Sequence, residues 1–189
     1  MQSASITIGT TTLADNQTTP SAAVEGNIVR YERGQGVVEE FIARNAGIEQ
    51  RWWLEEKPSA RGDLTLVVEI ETALTLETTG EGFVFQALDP ATGQMVPVIR
   101  YARPQAIDAD QQTLWAQTDS QLLETTEDGL NHYHLIFIFP ADWLEHAQYP
   151  LLVDPLVSGL LRLEQGSPAQ NQQNIQITYN PDNNEFLLV

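Results

Sequence analysis

The chain has 189 residues, 42% of them hydrophobic, which is enough to bury the core of one domain and to carry an appendage. Nine Lys and Arg residues stand against 26 Asp and Glu residues, so the formal net charge is −17. Such acidity argues against nucleic acid and anionic membrane surfaces as partners, and no apolar run approaches the ~20 residues of a membrane span. Because cysteine is absent, disulfides, thiolate catalysis and zinc–sulfur sites are excluded.

The N-terminal residues predict one strand followed by a linker. Ser3–Thr12 is rich in β-branched residues, with Ile6 and Ile8 alternating, which is typical of an edge strand. Asp15–Ala23 has the composition of a linker. Residues 1–26 are therefore predicted to form an N-terminal strand and linker, and they lack the basic start and apolar core of a signal peptide.

From residue 27 onward, short strand patterns follow one another at close spacing. In the clearest pattern, residues 64–70, every second side chain is Leu, Val or Ile. Turn-forming runs such as residues 89–93 (DPATG) separate the strands. Without an amphipathic helix of credible length, this pattern predicts an all-β fold over residues 27–157, an antiparallel β-sandwich of two packed sheets. The other strand patterns lie at residues 27–33, 37–43, 47–56, 82–88, 95–101, 106–109, 113–117, 121–126 and 133–139.

Two tryptophans are adjacent in one of these strands. Trp52 shares a face with Leu54, whereas Trp53 points to the opposite face of the sheet. We therefore expect one indole in the core and the other on a sheet surface, under a loop or at an interface.

The segment from residue 133 to residue 155 is the one around which the other elements are predicted to be arranged. At residues 133–139 every second side chain is Tyr, Leu or Phe, so one face of this strand is apolar. Pro140 lacks an N–H group and should end the strand. Asp142 is a candidate N-cap for a single helical turn that places Trp143 on the core, and residues 151–153 form a further short strand.

Asp154 closes this segment and stands before Pro155, which favours an extended backbone. We predict a buried structural carboxylate that accepts hydrogen bonds from backbone N–H groups or from an Arg. Replacing it by Ala is then expected to cost about 1–3 kcal/mol, because its donors are left unpaired.

The same segment carries a resemblance to a known family. A Trp-Leu turn, an alanine and the run YPLLVDP resemble the A-x-YP-x-x-x-DP ending of a β-sandwich domain in large bacterial extracellular proteins. That domain precedes repeat arrays of the RHS/YD, SBBP β-propeller or FG-GAP type. The resemblance implies an architectural module of a secreted protein, with no catalytic residues. The matching motif residues are Trp143, Ala147, Tyr149, Pro150, Asp154 and Pro155.

Upstream segments extend the resemblance to roughly residues 28–157. Residues 45–50 (NAGIEQ) resemble the family's N-G-(I/L)-E-Q segment, and residues 56–64 (EKPSARGDL) resemble its KP-x-G-x-L turn. Residues 107–110 (IDAD) resemble its DA-x-G turn, although Gln111 stands where glycine is usual.

The character of the chain changes after residue 157. Residues 158–165 predict one more strand, and residues 174–179 and 185–189 predict two strands around a turn at Asn180–Asn184. The run ITYNPDNNEFLLV resembles one unit of a bacterial surface repeat of the form AYNP-x-x-NEYLVVW. Residues 158–189 are therefore predicted to resemble the start of a following repeat unit.

Candidate metal ligands are few. His132 and His134 lie two residues apart on one strand face, a spacing that can chelate a metal, but two exposed strand histidines are the simpler interpretation. Two further groups offer oxygen ligands for calcium, yet neither matches the twelve-residue calcium loop, and turn-forming Asx residues explain both. No cofactor is therefore expected. The two groups are Asp108, Asp110 and Gln111, and Asn180, Asp182 and Asn184.

Two functions stay open from the sequence. The first is a non-catalytic structural or assembly module of a secreted or cell-surface protein. Its terminal strands would pair by β-addition with other domains of the polypeptide or with neighbouring subunits. The alternative is a carbohydrate-binding module with polysaccharide as partner, in which exposed aromatics stack on sugars. No nucleophile, phosphate-loop or zinc-protease motif is present, so no enzymatic activity is predicted. The candidate aromatics are Trp52, Trp53, Trp115 and Trp143.

Overall fold

The computed structural model describes residues 2–16, 20–45, 47–159, 177–180 and 185–188. These residues form an all-β, sandwich-like fold of antiparallel strands in three sheets, with a single short helix, as the sequence predicts. The strands in the first half are β1 (Gln2–Ile8), β2 (Thr11–Asp15), β3 (Ala22–Glu25), β4 (Ile28–Gly34), β5 (Val37–Arg44), β6 (Gly47–Leu54), β7 (Leu64–Thr72), β8 (Thr75–Thr79) and β9 (Gly82–Leu88). The later elements are β10 (Met95–Ala102), β11 (Gln105–Ile107), β12 (Thr113–Trp115), β13 (Gln117–Thr125), β14 (Asn131–Phe139), α1 (Ala141–His146), β15 (Leu151–Asp154), β16 (Leu156–Gly159), β17 (Ile177–Asn180) and β18 (Glu185–Leu188).

The smaller sheet of the sandwich has five strands in the order β13-β14-β7-β1-β2. Its centre is the pair β7 and β14, which is in register from Thr72↔Asn131 to Leu64↔Phe139. Strand β14 ends at Phe139, immediately before Pro140, as predicted from the missing N–H group.

The N-terminal strand lies inside this sheet. β1 pairs with β7 on one side and with β2 on the other, and both Ile6 and Ile8 are buried. The prediction of an edge strand is wrong for β1, because β2 occupies the edge. The predicted separation of residues 1–26 from the sandwich likewise does not hold for β1 and β2. A local sequence pattern does not show which distant strands a segment packs against, so these contacts with the core were not predicted.

The larger sheet is built around β6. The order of eight strands is β12-β11-β15-β6-β16-β10-β9-β8, and β5, β4 and β3 continue from the other edge of β6. β15 and β16 pair in succession along one edge of β6 in a single register, from Leu151↔Leu54 to Val157↔Ile48. They are therefore one strand interrupted at Pro155, the residue that cannot donate a ladder hydrogen bond.

The two sheets enclose one main core. Trp52 is fully buried and its ring lies 6.5 Å from Phe137 of the opposite sheet, while Tyr101 stacks on the same Phe137 ring at 5.5 Å. Trp53 faces away from this core, as alternation requires. The predicted apolar faces of β7 and β14 are all buried, at Leu64, Leu66, Val68, Ile70, Tyr133, Leu135, Phe137 and Phe139.

Helix α1 is a single short helix of six residues at the end of the core, with Leu144 buried. The predicted N-cap, Asp142, lies inside the first turn and makes no side-chain cap bond. Instead, the Oδ1 atom of Asp63 accepts the N–H of Ala141 at 2.8 Å. The capping carboxylate therefore comes from the loop before β7, far away in sequence. No helix among the described residues is long and apolar enough to cross a membrane.

The last two strands form a sheet of their own. β17 and β18 pair from Ile177↔Leu188 to Asn180↔Glu185, in agreement with the two strands predicted there. Of the strand predicted at residues 158–165, the start belongs to β16. The remainder of that strand and the turn residues 181–184 lie outside the described residues.

Candidate functional site

The six motif residues of segment 143–155 do not converge on one site. Two of them are buried, two are partly buried and pack against the main core, one is exposed, and one is half-buried on the opposite side of the larger sheet. Most of the motif therefore serves packing between the segment and the core. In that order they are Ala147 and Pro155, Trp143 and Tyr149, Pro150, and Asp154.

The outer face, meaning the side of the larger sheet that points away from the smaller sheet, carries an ordered set of polar and aromatic side chains. Directly paired residues of neighbouring strands project to the same face. The strand registers, together with the contact between Asp154 and Arg51, therefore place one residue from each of six adjacent strands in a row, which we call the outer-face row. From β12 to β4 its members are Trp115, Gln105, Asp154, Arg51, Glu40 and Arg30.

At one end of this row Arg30 pairs with three carboxylates. Its guanidinium nitrogens lie 3.1 Å from Glu32 Oε1, 3.3 Å from Glu40 Oε1 and 3.4 Å from Glu55 Oε1. The hydrogen bond to Glu32, with the charges of the other two carboxylates, raises the pKa of Arg30. Trp53 Nε1–H donates to the second oxygen of Glu40 at 3.0 Å. These bonds hold the planar groups in fixed orientations around the indole.

The ring of Trp53 lines a depression of about 350 Å³ on the outer face. Pro150, one of the motif residues, forms another part of its wall, and Arg30, Glu40 and Glu55 complete the lining. An aromatic ring, a proline ring and three planar charged groups therefore meet at one open volume.

In the middle of the row, Arg51 is shared by two carboxylates: Asp154, which belongs to the row, and Glu49, which precedes Arg51 on β6. Glu49 pairs with Arg51 and also with Arg44, whose Nε lies 2.6 Å from Glu49 Oε2. Although burial alone would raise it, the pKa of Glu49 is lowered by the bonds and charges of these two arginines. Asp154 Oδ1 is 3.7 Å from Arg51 Nε, and burial, together with the nearby Glu49, raises the pKa of Asp154 to about 6.

Asp154 matches part of its predicted role. The expected Arg is present, but the carboxylate is half-buried and accepts no hydrogen bond from the described backbone. Its neighbourhood disfavours the ionised form, because burial and Glu49 outweigh the attraction of Arg51.

A second polar group lies inside the sandwich. Gln50 Nε2 donates to Glu39 Oε1 at 2.6 Å, and the Tyr101 hydroxyl donates to Gln50 Oε1 at 2.7 Å. Arg33 Nη1 lies 3.6 Å from the other oxygen of Glu39. Burial and the charge of Glu39 raise the pKa of Tyr101, so the phenol remains a donor. A buried network of this kind favours one strand register.

A depression with two basic residues lies between the loop before β7 and α1, and a hydrogen bond between two of its lining residues closes one side. It measures about 310 Å³ and is lined by Arg61 and by Lys57, the only lysine of the chain. Lys57 Nζ donates to the carbonyl of Glu145 at 2.6 Å, which ties the loop to the helix. The ammonium group of Lys57 therefore has a structural role, the contact between loop and helix.

One edge of the smaller sheet, strand β2, is covered by side chains of the larger sheet. The Thr12 carbonyl of β2 accepts Gln35 Nε2 at 3.1 Å, and the Asp15 carbonyl accepts Arg33 Nη2 at 3.2 Å. Such bonds use acceptors that an added strand would need.

The edge strand β8 of the larger sheet is covered in a similar way. The Leu76 N–H donates to the Tyr133 hydroxyl at 3.3 Å, and Thr78 Oγ1 lies 2.8 Å from Ser120 Oγ. These contacts join β8 to the smaller sheet, so this edge is also occupied.

The edge strand β3 is different. All four of its residues are exposed, and Val24 is 62% exposed. β3 pairs with β4 on one side, and no described strand pairs with its other side. Its sequence, AAVE, contains no Pro, Lys or bulge, and the features that limit pairing at this edge are its length of four residues and the charge of Glu25.

Two of the candidate metal ligands, Asp108 and His132, make other contacts. Asp108 accepts the N–H of Gln112 at 2.8 Å and of Gln148 at 3.0 Å, and these backbone bonds, that of Gln148 first, lower the pKa of Asp108. This confirms the turn-forming role expected for Asp108. His132 Nε2 lies 3.4 Å from Glu71 Oε2. Among the described residues no three His, Cys, Asp or Glu side chains form a group that could hold a metal, and Asp182 and Asn184 lie outside those residues.

Sequence reasoning singled out Trp53, Trp115 and Asp154 but did not bring them together. Charged residues at alternate positions of β4, β5 and β6 were the available signal, since strand period two puts them on one face. Only the register of β12, β11, β15 and β6 shows that these charged residues lie in one row with Trp115 and Asp154.

Comparison with known proteins finds no match to a family model, to a curated protein or to a solved structure. The resemblance to β-sandwich domains that precede repeat arrays therefore stays a prediction from the motifs quoted above.

Proposed function

We propose that this chain is a non-catalytic structural module of a secreted or cell-surface bacterial protein, and that it joins neighbouring protein segments by β-strand addition. The observation that carries the proposal is the open outer edge of β3. A strand edge presents a row of N–H and C=O groups, which pair readily with another extended chain.

The contrast within the molecule supports this use of β3. The edges at β2 and β8 are occupied by side-chain hydrogen bonds from the opposite sheet. An edge without such cover is a liability for a protein that works alone, but it is the required surface for a protein that adds strands. The small side chains Ala22 and Ala23 also allow a close approach of another backbone.

The hairpin of β17 and β18 supports the same function. It forms a separate sheet of two strands, and no other described strand pairs with it. A hairpin of two strands is marginally stable in water on its own. A neighbouring strand from another domain or subunit would provide the third strand that such a hairpin needs.

The motif residues fit a structural module. Ala147 and Pro155 are buried, and Trp143 and Tyr149 pack against the core. The surface charge of an acidic chain suits an exported module that must avoid nonspecific association. The resemblance to domains before repeat arrays supports the extracellular setting.

The test is to place a charge on the β3 edge. Val24→Lys should abolish concentration-dependent association of the full chain, measured by light scattering, because the desolvation of an edge lysine opposes strand addition. Val24→Thr keeps a neutral β-branched side chain and should associate like the unmodified chain.

Two outcomes would contradict the proposal. One is a full chain that remains monomeric at every concentration. The other is association that Val24→Lys leaves unchanged while both variants keep the unmodified melting temperature.

A further inference from the structure

The two outward-facing tryptophans Trp53 and Trp115 lie on the same surface. Trp115 is 53% exposed at the edge strand β12, and Trp53 lines the depression beside Pro150. The registers separate them by three strand steps and by two residues along the strands, which corresponds to roughly 16 Å.

The surface between the two indoles offers hydrogen-bonding groups at short intervals. Gln105 and Asp154 lie side by side next to Trp115, and Arg51 follows on β6. Beyond them Glu40 and Glu55 surround Trp53, where Arg30 holds them in place. Donors and acceptors of fixed orientation thus alternate with aromatic rings across the face.

We infer that the outer face is a binding site for a neutral oligosaccharide that spans Trp53 and Trp115. A pyranose ring has an apolar face that packs on an indole and a rim of hydroxyl groups that bind planar amide, carboxylate and guanidinium groups. The distance between the indoles exceeds one sugar ring, so the ligand is a chain rather than a monosaccharide.

The charge of the face selects against acidic sugars. Among the ion-paired side chains of this face, three arginines stand against five carboxylates, and the whole chain has a net charge of −17. A polyuronate or a sulfated glycan would therefore be repelled, whereas a neutral glycan is not. A cationic peptide is the competing ligand, because aromatic faces and carboxylates also attract Arg and Lys.

The experiment titrates the full chain with neutral β-1,4-linked hexasaccharides of glucose, xylose and N-acetylglucosamine, followed by tryptophan fluorescence and calorimetry. The corresponding disaccharides, a hexauronate and an oligo-arginine peptide are titrated in parallel. We expect one neutral hexasaccharide to bind about tenfold more tightly than its disaccharide, since only the longer ligand contacts both indoles.

Substitutions locate the site. Trp115→Ala should weaken binding of the hexasaccharide about tenfold and leave that of the disaccharide unchanged, whereas Trp53→Ala should weaken both. Leu122→Ala is the matched control, because Leu122 is also 53% exposed but belongs to the smaller sheet. Trp53→Phe, which keeps an aromatic ring, checks whether a loss in Trp53→Ala reflects misfolding.

The inference is wrong if no neutral sugar of the panel binds, if the hexauronate binds as well as the neutral chains, or if only oligo-arginine binds. It is also wrong if Leu122→Ala matches the effect of Trp115→Ala. None of these results depends on the β3 edge, so failure of the sugar site and failure of strand addition are distinguishable.

Discussion

At the scale of single residues, the structure explains a position that the sequence marked as unusual. Gln111 stands where the related turn pattern has glycine, and its φ angle is +63°. This left-handed conformation is costly for a residue with a side chain and free for glycine. Gln111 N–H donates to the Asp108 carbonyl at 3.0 Å, so the turn itself requires the conformation.

We expect Gln111→Gly to raise the free energy of unfolding by about 0.5–1 kcal/mol, because relief of the left-handed conformation exceeds the added entropy of the unfolded chain. Urea unfolding measures the change. The control is Gln112→Gly at the neighbouring exposed position, where φ is not positive. At position 112 glycine only makes the unfolded chain more flexible, so this substitution should lower the free energy of unfolding by about 0.5–1 kcal/mol. Equal effects of the two substitutions would refute the explanation.

Asp154 gives a second expectation at this scale. Its pKa of about 6 in the folded protein lies above the ordinary value of 3.8, so the folded state retains a proton that the unfolded chain has released between these values. The contribution of this carboxyl group to stability is therefore greatest below about pH 4 and is lost as the pH rises through about 6.

Asp154→Asn should accordingly stabilise the chain by about 1 kcal/mol at pH 7.5 and leave it nearly unchanged at about pH 4. From the sequence alone a loss was expected for Asp154→Ala, with backbone N–H groups or an Arg as the donors to this carboxylate. Unfolding free energies at the two pH values decide, and a variant destabilised at both would restore the original assignment.

At the scale of elements, the start of α1 shows how a remote residue replaces a local signal. Asp is a residue type that often caps helices, and Asp142 lies near the helix start. The carboxylate that accepts the Ala141 N–H is nevertheless that of Asp63. The loop before β7 and the end of β14 come together only through the pairing of these strands. Local sequence therefore predicted that the helical turn exists, but not which residue caps it.

Asp63→Ala should cost about 1 kcal/mol, because it removes the acceptor of an N–H group at the helix start. Asp142→Ala should cost less than about 0.5 kcal/mol, since this residue makes no cap bond. Thermal unfolding of the two variants provides the comparison. A greater loss for Asp142→Ala would show that the local cap, rather than Asp63, stabilises the helix.

The clearest strand predictions came from strands that have one buried face. The alternating runs of β7 and β14 were recognised because their apolar residues face the core. By contrast, β8 (TLETT) was missed, because its residues are partly or fully exposed and leave no alternation of hydrophobicity. β3 was taken as a linker for the same reason, since all of its residues are exposed. β3 and β8 are therefore recognised as strands only from their pairing with β4 and β9.

At the scale of the whole molecule, the candidate sites depend on long-range register. The sequence identified Trp53, Trp115 and Asp154 one by one, but their common surface results from the pairing of β12, β11, β15 and β6. The buried bonds between Gln50, Glu39 and Tyr101 join the hairpin of β5 and β6 to β10, whose Tyr101 lies 51 residues after Gln50. A pattern with period two gives the face of a residue but never its neighbours on other strands.

The positions of β1 and β16 have a mechanical consequence. β1 lies between β7 and β2, and β16 lies between β6 and β10, so the first and last strands of the sandwich both have hydrogen-bonded neighbours on two sides. Tension applied between residues 2 and 159 cannot peel off a single edge strand. It must rupture two ladders around one of these strands, and it pulls on different sheets at its two ends. A module of this construction can transmit force along a polypeptide while its open edge and outer face remain folded and accessible.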